Sequence, residues 1–178
     1  YHVALFRRFY LQQPYTMAWG EVLEQGFPSW LHLGRCLRAR QPVEDPYYYP
    51  DYGALPFLST YYPPHRVTAW LSTFLPLNQA FLLYSLTMVS HYYLASVSVY
   101  TLATAMGLAP LPAGCASVTL STLGYAMKPN SSIIYTASWL PSLYLSAMIP
   151  SPLGYGISLG MSLLAGYWPL VLPSAGLS

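Results

Sequence analysis

The most restrictive feature of this sequence is the position of its charges. Eleven of the twelve Asp, Glu, Lys and Arg residues lie within the first 66 residues, and Lys128 is the one charge in the 112 residues that follow. A soluble globule could not cover its surface with one charge in such a stretch. The distribution argues against a freely soluble enzyme, a nucleic-acid binder or a disordered chain. It predicts a polar N-terminal region joined to a membrane-embedded remainder.

Prolines and small residues divide the apolar remainder into segments of about the length that crosses a bilayer. A transmembrane helix needs roughly 20 predominantly apolar residues. Four segments approach this length, at residues 78–106, 113–127, 132–149 and 153–172. Glycine and proline after the first segment are typical helix stops. We therefore expect an all-α integral membrane protein with about four transmembrane helices within residues 67–178.

Residues 1–66 are expected to form a long aromatic and proline-rich loop region at the membrane interface. Within it, residues 29–40 alternate leucines with Arg35, Arg38 and Arg40, which predicts a short amphipathic helix on the membrane surface. Tyrosine and tryptophan rings suit the headgroup level of a bilayer. The rings assigned to such a belt include Trp19, Trp30, Tyr61, Tyr62 and Trp70.

Acids within this loop region are the candidates for chemistry. The sequence has no phosphate-binding glycine loop, metal-spaced histidine pair or nucleophile elbow. Glu21 follows Gly20, and Asp45 precedes a Pro-Tyr run. Acids among aromatic rings at a membrane surface can serve as a base or bind a metal or sugar hydroxyls. The alternative is that they are solvated acids that pair with nearby arginines.

Basic residues and one histidine have two interpretations each. Arg7 and Arg8 could hold a lipid phosphate through forked hydrogen bonds, or they could anchor the chain at lipid headgroups. His91 lies in the middle of the longest predicted helix, where an ionisable side chain is costly and should face other helices or a wet cavity. A neutral, hydrogen-bonded packing histidine is the alternative.

The order of short motifs resembles the YfhO family, bacterial multi-pass membrane proteins similar to glycosyltransferases of the C-type fold. The resemblance runs from about residue 14 to residue 169 and would cover only the N-terminal part of a family member, after its first helix. It rests on the ordered set Gly20-Glu21, Pro28, Trp30, Asp45-Pro46-Tyr47, Gly53, Pro56, Tyr61-Tyr62-Pro63-Pro64, Leu75-Pro76, His91, Tyr100, Gly107-Leu108, Trp139-Leu140-Pro141 and Leu164-Ala165-Gly166.

The resemblance implies a transferase that uses a polyprenyl-phosphate sugar as donor, with its site in the first extracytoplasmic loop. Glu21 stands where the family usually has aspartate, and Asp45 stands where asparagine commonly precedes Pro-Tyr. The implied catalytic residues are Glu21 and Asp45, with a divalent metal as the candidate cofactor. The candidate substrate-binding residues are Arg7, Arg8, Tyr47, His65 and Arg66.

Two functions of different classes follow. The first is a membrane glycosyltransferase of the bacterial cytoplasmic membrane, with residues 1–66 on the extracytoplasmic side and with polyprenyl-phosphate sugar and membrane lipids as partners. The second is a non-catalytic accessory subunit that packs against partner membrane proteins. Neither function involves nucleic acid.

Overall fold

The computed structural model describes residues 26–43, 61–126, 131–166 and 168–174. Helix makes up 84% of these described residues and no strand occurs among them, so this part of the chain is all-α. The described helices are α1 (Phe27–Ala39), α2 (Pro63–Ser72), α3 (Leu77–Ala105), α4 (Pro110–Ala126), α5 (Ser131–Met148), α6 (Pro152–Leu164) and α7 (Trp168–Ser174). The chain divides into two compact units, a first unit at Tyr1–Val89 and a second unit at Ser90–Ser178, with the division inside α3.

Prolines begin the two short helices of the first unit. Pro28 lies in the first turn of α1, and Pro63 and Pro64 open α2. Proline suits these positions because the N–H groups of a first turn have no partner within the helix. Helix α1 ends at Ala39 and is capped by Arg40, whose φ of 55° is left-handed and whose N–H donates to the Leu37 carbonyl at 3.3 Å. Such a left-handed residue is a common helix terminator.

Helices α1 and α2 pack against each other and approach closely at Gly34. A methyl group built on Gly34 would collide with the backbone carbonyl of Ala69 in α2 and would lie 3.2 Å from Cγ2 of Thr73. Ala69 is completely buried. Any side chain larger than hydrogen at Gly34 would therefore push the two helix backbones apart.

Glycine and serine set helix ends in the second unit. Gly107 follows α3 with a φ of 89°, and Gly166 follows α6 with a φ of 96°. The Ser151 hydroxyl accepts a hydrogen bond from the Gly154 N–H at 3.2 Å, which caps the start of α6. The segment predicted as one helix over 153–172 is consequently two helices, because the left-handed backbone at Gly166 interrupts it.

The interior of the second unit combines apolar side chains with buried hydroxyl groups. Helix α5 packs along α6, and α7 contacts both of them. The hydroxyl oxygens of Ser98 in α3 and Ser142 in α5 are 2.8 Å apart. The Ser117 hydroxyl in α4 donates to the Ser96 carbonyl in α3 at 2.6 Å. Since a buried hydroxyl without a partner is costly, these bonds specify how α4 and α5 meet the C-terminal half of α3.

The expectation of about four transmembrane helices is wrong for the described part of the chain. Among the described residues, one helix, Leu77–Ala105, is long and apolar enough to cross a membrane, and 56% of its most apolar window is buried inside the protein. Helix α6 has 13 residues, which span only ~20 Å against a hydrocarbon core of ~30 Å. Helix α4 has 17 residues, also short of a full crossing. Helix α5 has 18, but its serines, tyrosines and proline reduce its hydropathy.

The implied C-type glycosyltransferase architecture, which needs many crossings, therefore has no support from the described helices. The positions of two helices along the chain agree with the sequence prediction, although the number of membrane crossings does not. Helix α3 begins and ends one residue before the predicted segment 78–106. Helix α5 likewise lies one residue before the segment 132–149, and it continues through Pro141.

We predict that Gly34→Ala lowers the free energy of unfolding by about 2 kcal/mol, measured by chemical denaturation. Alanine alone would favour the helix by ~1 kcal/mol, so a loss of stability reports the collision with the Ala69 carbonyl. Gly156→Ala in α6 is the matched control, because a methyl group at Gly156 meets nothing within 4 Å and should be neutral or stabilising. Equal effects of the two substitutions would contradict the close approach.

Candidate functional site

Most of the predicted site residues lie outside the described residues. Glu21, Asp45, Arg7, Arg8 and Tyr47 all belong to this group. The two that are described, His65 and Arg66, are neighbours near the start of α2. The described part of the candidate site therefore lies in the first unit, around these two residues.

His65 faces a group of aromatic side chains and is 8% exposed. Its ring stacks on Trp30 of α1 with centroids 6.5 Å apart, and lies 6.3 Å from the ring of Tyr84 in α3. The side chain of His65 is therefore part of the packing between α1, α2 and α3, and its role in substrate binding stays a prediction.

The aromatic cluster, which we define as Phe27, Trp30, His65, Phe81 and Tyr84, joins three helices. Phe27 contacts Phe81 edge-on at 4.9 Å, and Trp30 contacts Tyr84 edge-on at 5.3 Å. Trp30 is 1% exposed and Tyr84 is completely buried. Aromatic pairs of this kind contribute about 0.5–1.5 kcal/mol each beyond their burial. The cluster therefore holds α1 and α2 against the N-terminal half of α3.

A hydrogen-bonded chain fixes the orientation of Trp30 within this cluster. The indole Nε1–H of Trp30 donates to the Thr68 hydroxyl at 3.3 Å. The Thr68 hydroxyl in turn donates to the Pro64 carbonyl at 2.7 Å, one turn earlier in α2. Buried tryptophan nitrogens usually need such a partner. The orientation of the indole is consequently set by Thr68, whose hydroxyl is itself held by the Pro64 carbonyl.

Two described arginines, Arg66 and Arg38, place their guanidinium groups close to aromatic rings. Arg66 is half-buried, and its guanidinium lies 5.5 Å from the centroid of the Tyr61 ring. Arg38, at the end of α1, donates from Nη1 to the Thr73 carbonyl at 2.9 Å and lies 4.9 Å above the Phe74 ring. Thr73 is the C-terminal cap of α2, where the helix dipole favours a positive charge. Arg38 thereby joins the end of α1 to the end of α2.

A cleft of about 630 Å³ opens beside Arg38 in the first unit. We call it the arginine cleft. Its lining residues are Leu31, Arg35, Arg38, Ala39, Ser72, Thr73, Leu75, Leu77 and Ala80. It combines two cations with leucines at the point where α3 begins.

The second unit carries no charged side chain among its described residues. Its one ionisable candidate, His91, is 4% exposed, and its ring lies 4.4 Å from the ring of Tyr135. This packed position is the one expected of a histidine that faces other helices. Within the described ranges, no group of three His, Cys, Asp or Glu side chains could hold a metal ion.

Sequence reasoning missed both the burial of Trp30 and the setting of Arg38. The sequence pattern predicts a ring belt at the headgroups that includes Trp30 and Tyr62, but both are buried, whereas Tyr61 and Trp70 are 49% and 44% exposed. Arg38 was interpreted only as part of an amphipathic face. The spacing of Arg35 and Arg38, which places both on one side of a helix, was the available signal for a paired cation site.

The comparisons with known proteins add no relative: no family model, curated protein or solved structure matches this chain.

We predict that Thr68→Val lowers the free energy of unfolding by about 1–3 kcal/mol, because it leaves the buried Trp30 indole nitrogen without its acceptor. Thr101→Val is the matched control. The Thr101 hydroxyl is exposed and bonds only to the Val97 carbonyl of its own helix among the described residues. Chemical denaturation of both variants, followed by tryptophan fluorescence, makes the comparison. A Thr68→Val effect no larger than that of Thr101→Val would contradict the role of Thr68.

Proposed function

We propose that this chain is a membrane glycosyltransferase that transfers a sugar from a polyprenyl-phosphate donor to an extracytoplasmic acceptor. The main support is the charge-free helix α3, which has 29 residues and begins 11 residues after Arg66. The first unit carries every described cation, and the aromatic cluster holds its two short helices against the N-terminal half of α3.

A polyprenyl-phosphate donor has chemistry that matches this arrangement. Its isoprenoid chain lies among lipid tails, and its phosphate and sugar lie at the headgroup level. A protein that binds it needs apolar helix surface beside cations, and guanidinium groups bind phosphate oxygens through two parallel hydrogen bonds. Arg66, beside Tyr61, is the described candidate for this contact. The resemblance of the motif order to the YfhO family supports the same assignment.

The proposed reaction is an inverting transfer. The Glu21 carboxylate accepts the proton of the acceptor hydroxyl as the hydroxyl oxygen attacks the anomeric carbon of the sugar. The bond between that carbon and the phosphate oxygen breaks, and the phosphate leaves with its polyprenyl chain. Asp45 assists near the acceptor, and Arg7 and Arg8 hold the departing phosphate.

A non-catalytic accessory subunit is the second candidate. It is favoured by large exposed apolar side chains on helices of the second unit. Leu111 is 79% exposed, Leu153 is 76% exposed and Ile157 is 52% exposed. Exposed apolar surface of this kind fits either a partner membrane protein or lipid. Isolation of the chain in a stable complex, without transfer activity of its own, would favour this candidate over the enzyme.

We predict that Glu21→Gln lowers the rate of sugar transfer to a lipid acceptor by about 100-fold or more, because glutamine cannot accept the proton. The assay uses the full chain in membranes with a polyprenyl-phosphate sugar as donor. Glu24→Gln removes a nearby acid and should leave the rate within about twofold of the unmodified chain. Unchanged turnover in the Glu21 variant would refute the catalytic role.

We predict that Arg66→Gln raises the KM for the polyprenyl-phosphate sugar by roughly 10-fold, the usual effect of losing a charged hydrogen bond, with a smaller change in kcat. Arg40→Gln is the control, because it removes the same charge from a first-unit arginine that lies after the end of α1, away from Tyr61 in the sequence. If the KM were unchanged in the Arg66 variant, Arg66 would have no part in binding the donor.

A further inference from the structure

The arginine cleft is an amphipathic site that the proposed sugar transfer does not use. Arg35 and Arg38 lie one turn apart on α1 and line the same side of the cleft. Leu31, Leu75 and Leu77 form apolar walls around them. At about 630 Å³, the cleft lies within the range of small-molecule sites, which is roughly 300–1,000 Å³.

Arg38 is held in place before any ligand arrives. One of its nitrogens donates to the Thr73 carbonyl at 2.9 Å, and its plane lies over the Phe74 ring. A guanidinium has five N–H donors in a fixed fork, so further donors remain for an anion after the Thr73 bond is made. Because the side chain is already ordered, binding an anion costs little additional conformational entropy.

Arg35 supplies a second cation to the same cleft. It is exposed and lines the cleft together with Arg38. Two guanidinium groups one turn apart suit a phosphate oxygen cluster better than they suit a single carboxylate.

The walls and rim of the cleft indicate what the anion is attached to. Leu77 is 66% exposed and Leu75 is 38% exposed. Next to them, the rings of Trp70 and Phe74 meet edge-on at 5.1 Å, and these side chains are 44% and 57% exposed. Exposed apolar and aromatic side chains around a pair of cations are typical of a surface at the level of lipid headgroups. A freely soluble anion such as inorganic phosphate has no apolar surface that could pack against these walls.

The geometry points to a binding site for the phosphate head group of an anionic membrane phospholipid in the arginine cleft. Arg35 and Arg38 bind the phosphate oxygens, and the leucine walls contact the glycerol backbone and the upper part of the acyl chains. The site anchors α1 and α2 at the membrane surface, beside the start of α3. Lipid binding at this site does not require sugar transfer, so it can be measured without any transfer assay.

The test uses the full chain purified in dodecyl maltoside and titrated with radiolabelled phosphatidylglycerol. We expect saturable binding that Arg35→Gln weakens about 5-fold, the usual contribution of one arginine at an anionic membrane surface. Arg35→Lys retains the charge and should recover most of the affinity. Arg40→Gln, at the end of the same helix but not lining the cleft, should leave the affinity within about twofold of the unmodified chain. Far-ultraviolet circular dichroism verifies that each variant keeps its helices.

Two further experiments test the contribution of the apolar wall and of the phosphate group alone. Leu77→Ser should weaken phosphatidylglycerol binding, whereas Leu153→Ser changes a leucine of similar exposure in the second unit and should not. Inorganic phosphate and glycerol phosphate should compete only at far higher concentrations than the lipid. Equal competition by inorganic phosphate would overturn the lipid assignment in favour of a free-phosphate site. Equal binding of phosphatidylcholine, or an equal loss of affinity in the Arg40 and Arg35 variants, would overturn the assignment of anionic-lipid binding to the arginine cleft.

Discussion

The contacts of the first unit depend on how closely helices α1 and α2 approach each other, and Gly34 permits that distance. Its missing side chain lets α1 lie on the backbone of α2 at Ala69. Only at this separation can the Trp30 indole reach the Thr68 hydroxyl and the Arg38 guanidinium reach the Thr73 carbonyl. A single glycine thus permits two hydrogen bonds at opposite ends of the helix pair.

The aromatic cluster extends this order to the beginning of α3. Phe27 and Trp30 reach Phe81 and Tyr84 across the helix boundary, so the pair of short helices is tied to the long apolar helix that follows. As a result, every described cation belongs to a structure attached to the start of a helix without charge. This arrangement is the physical basis of both proposals, since each concerns a phosphate at the border between polar and apolar surroundings.

Local features of the sequence predicted the positions of α3 and α5 to within one residue, but they did not predict the number of membrane crossings. Gly107 and the apolar run before it were enough to place α3 within one residue, because helix stops act through backbone geometry at the site itself. The predicted number of crossings is too high because the backbone interrupts an apolar segment that composition presents as continuous: α6 ends after 13 residues, and Gly166 follows it in a left-handed conformation. Composition does not distinguish a protein partner from a lipid partner. Of the acids that the motif order singled out, Glu21 and Asp45 lie outside the described residues, so their roles stay predictions.

The sequence by itself determined that the described chain is helical, where α3 and α5 begin and end to within one residue, and that the charges gather in the N-terminal third. These properties follow from residue types and their neighbours along the chain. Only the tertiary structure decided that Trp30 and Tyr62 are buried while Tyr61 and Trp70 are exposed. Only the tertiary structure paired Arg38 with Thr73, because the two are 35 residues apart and meet through helix packing, which no local periodicity encodes.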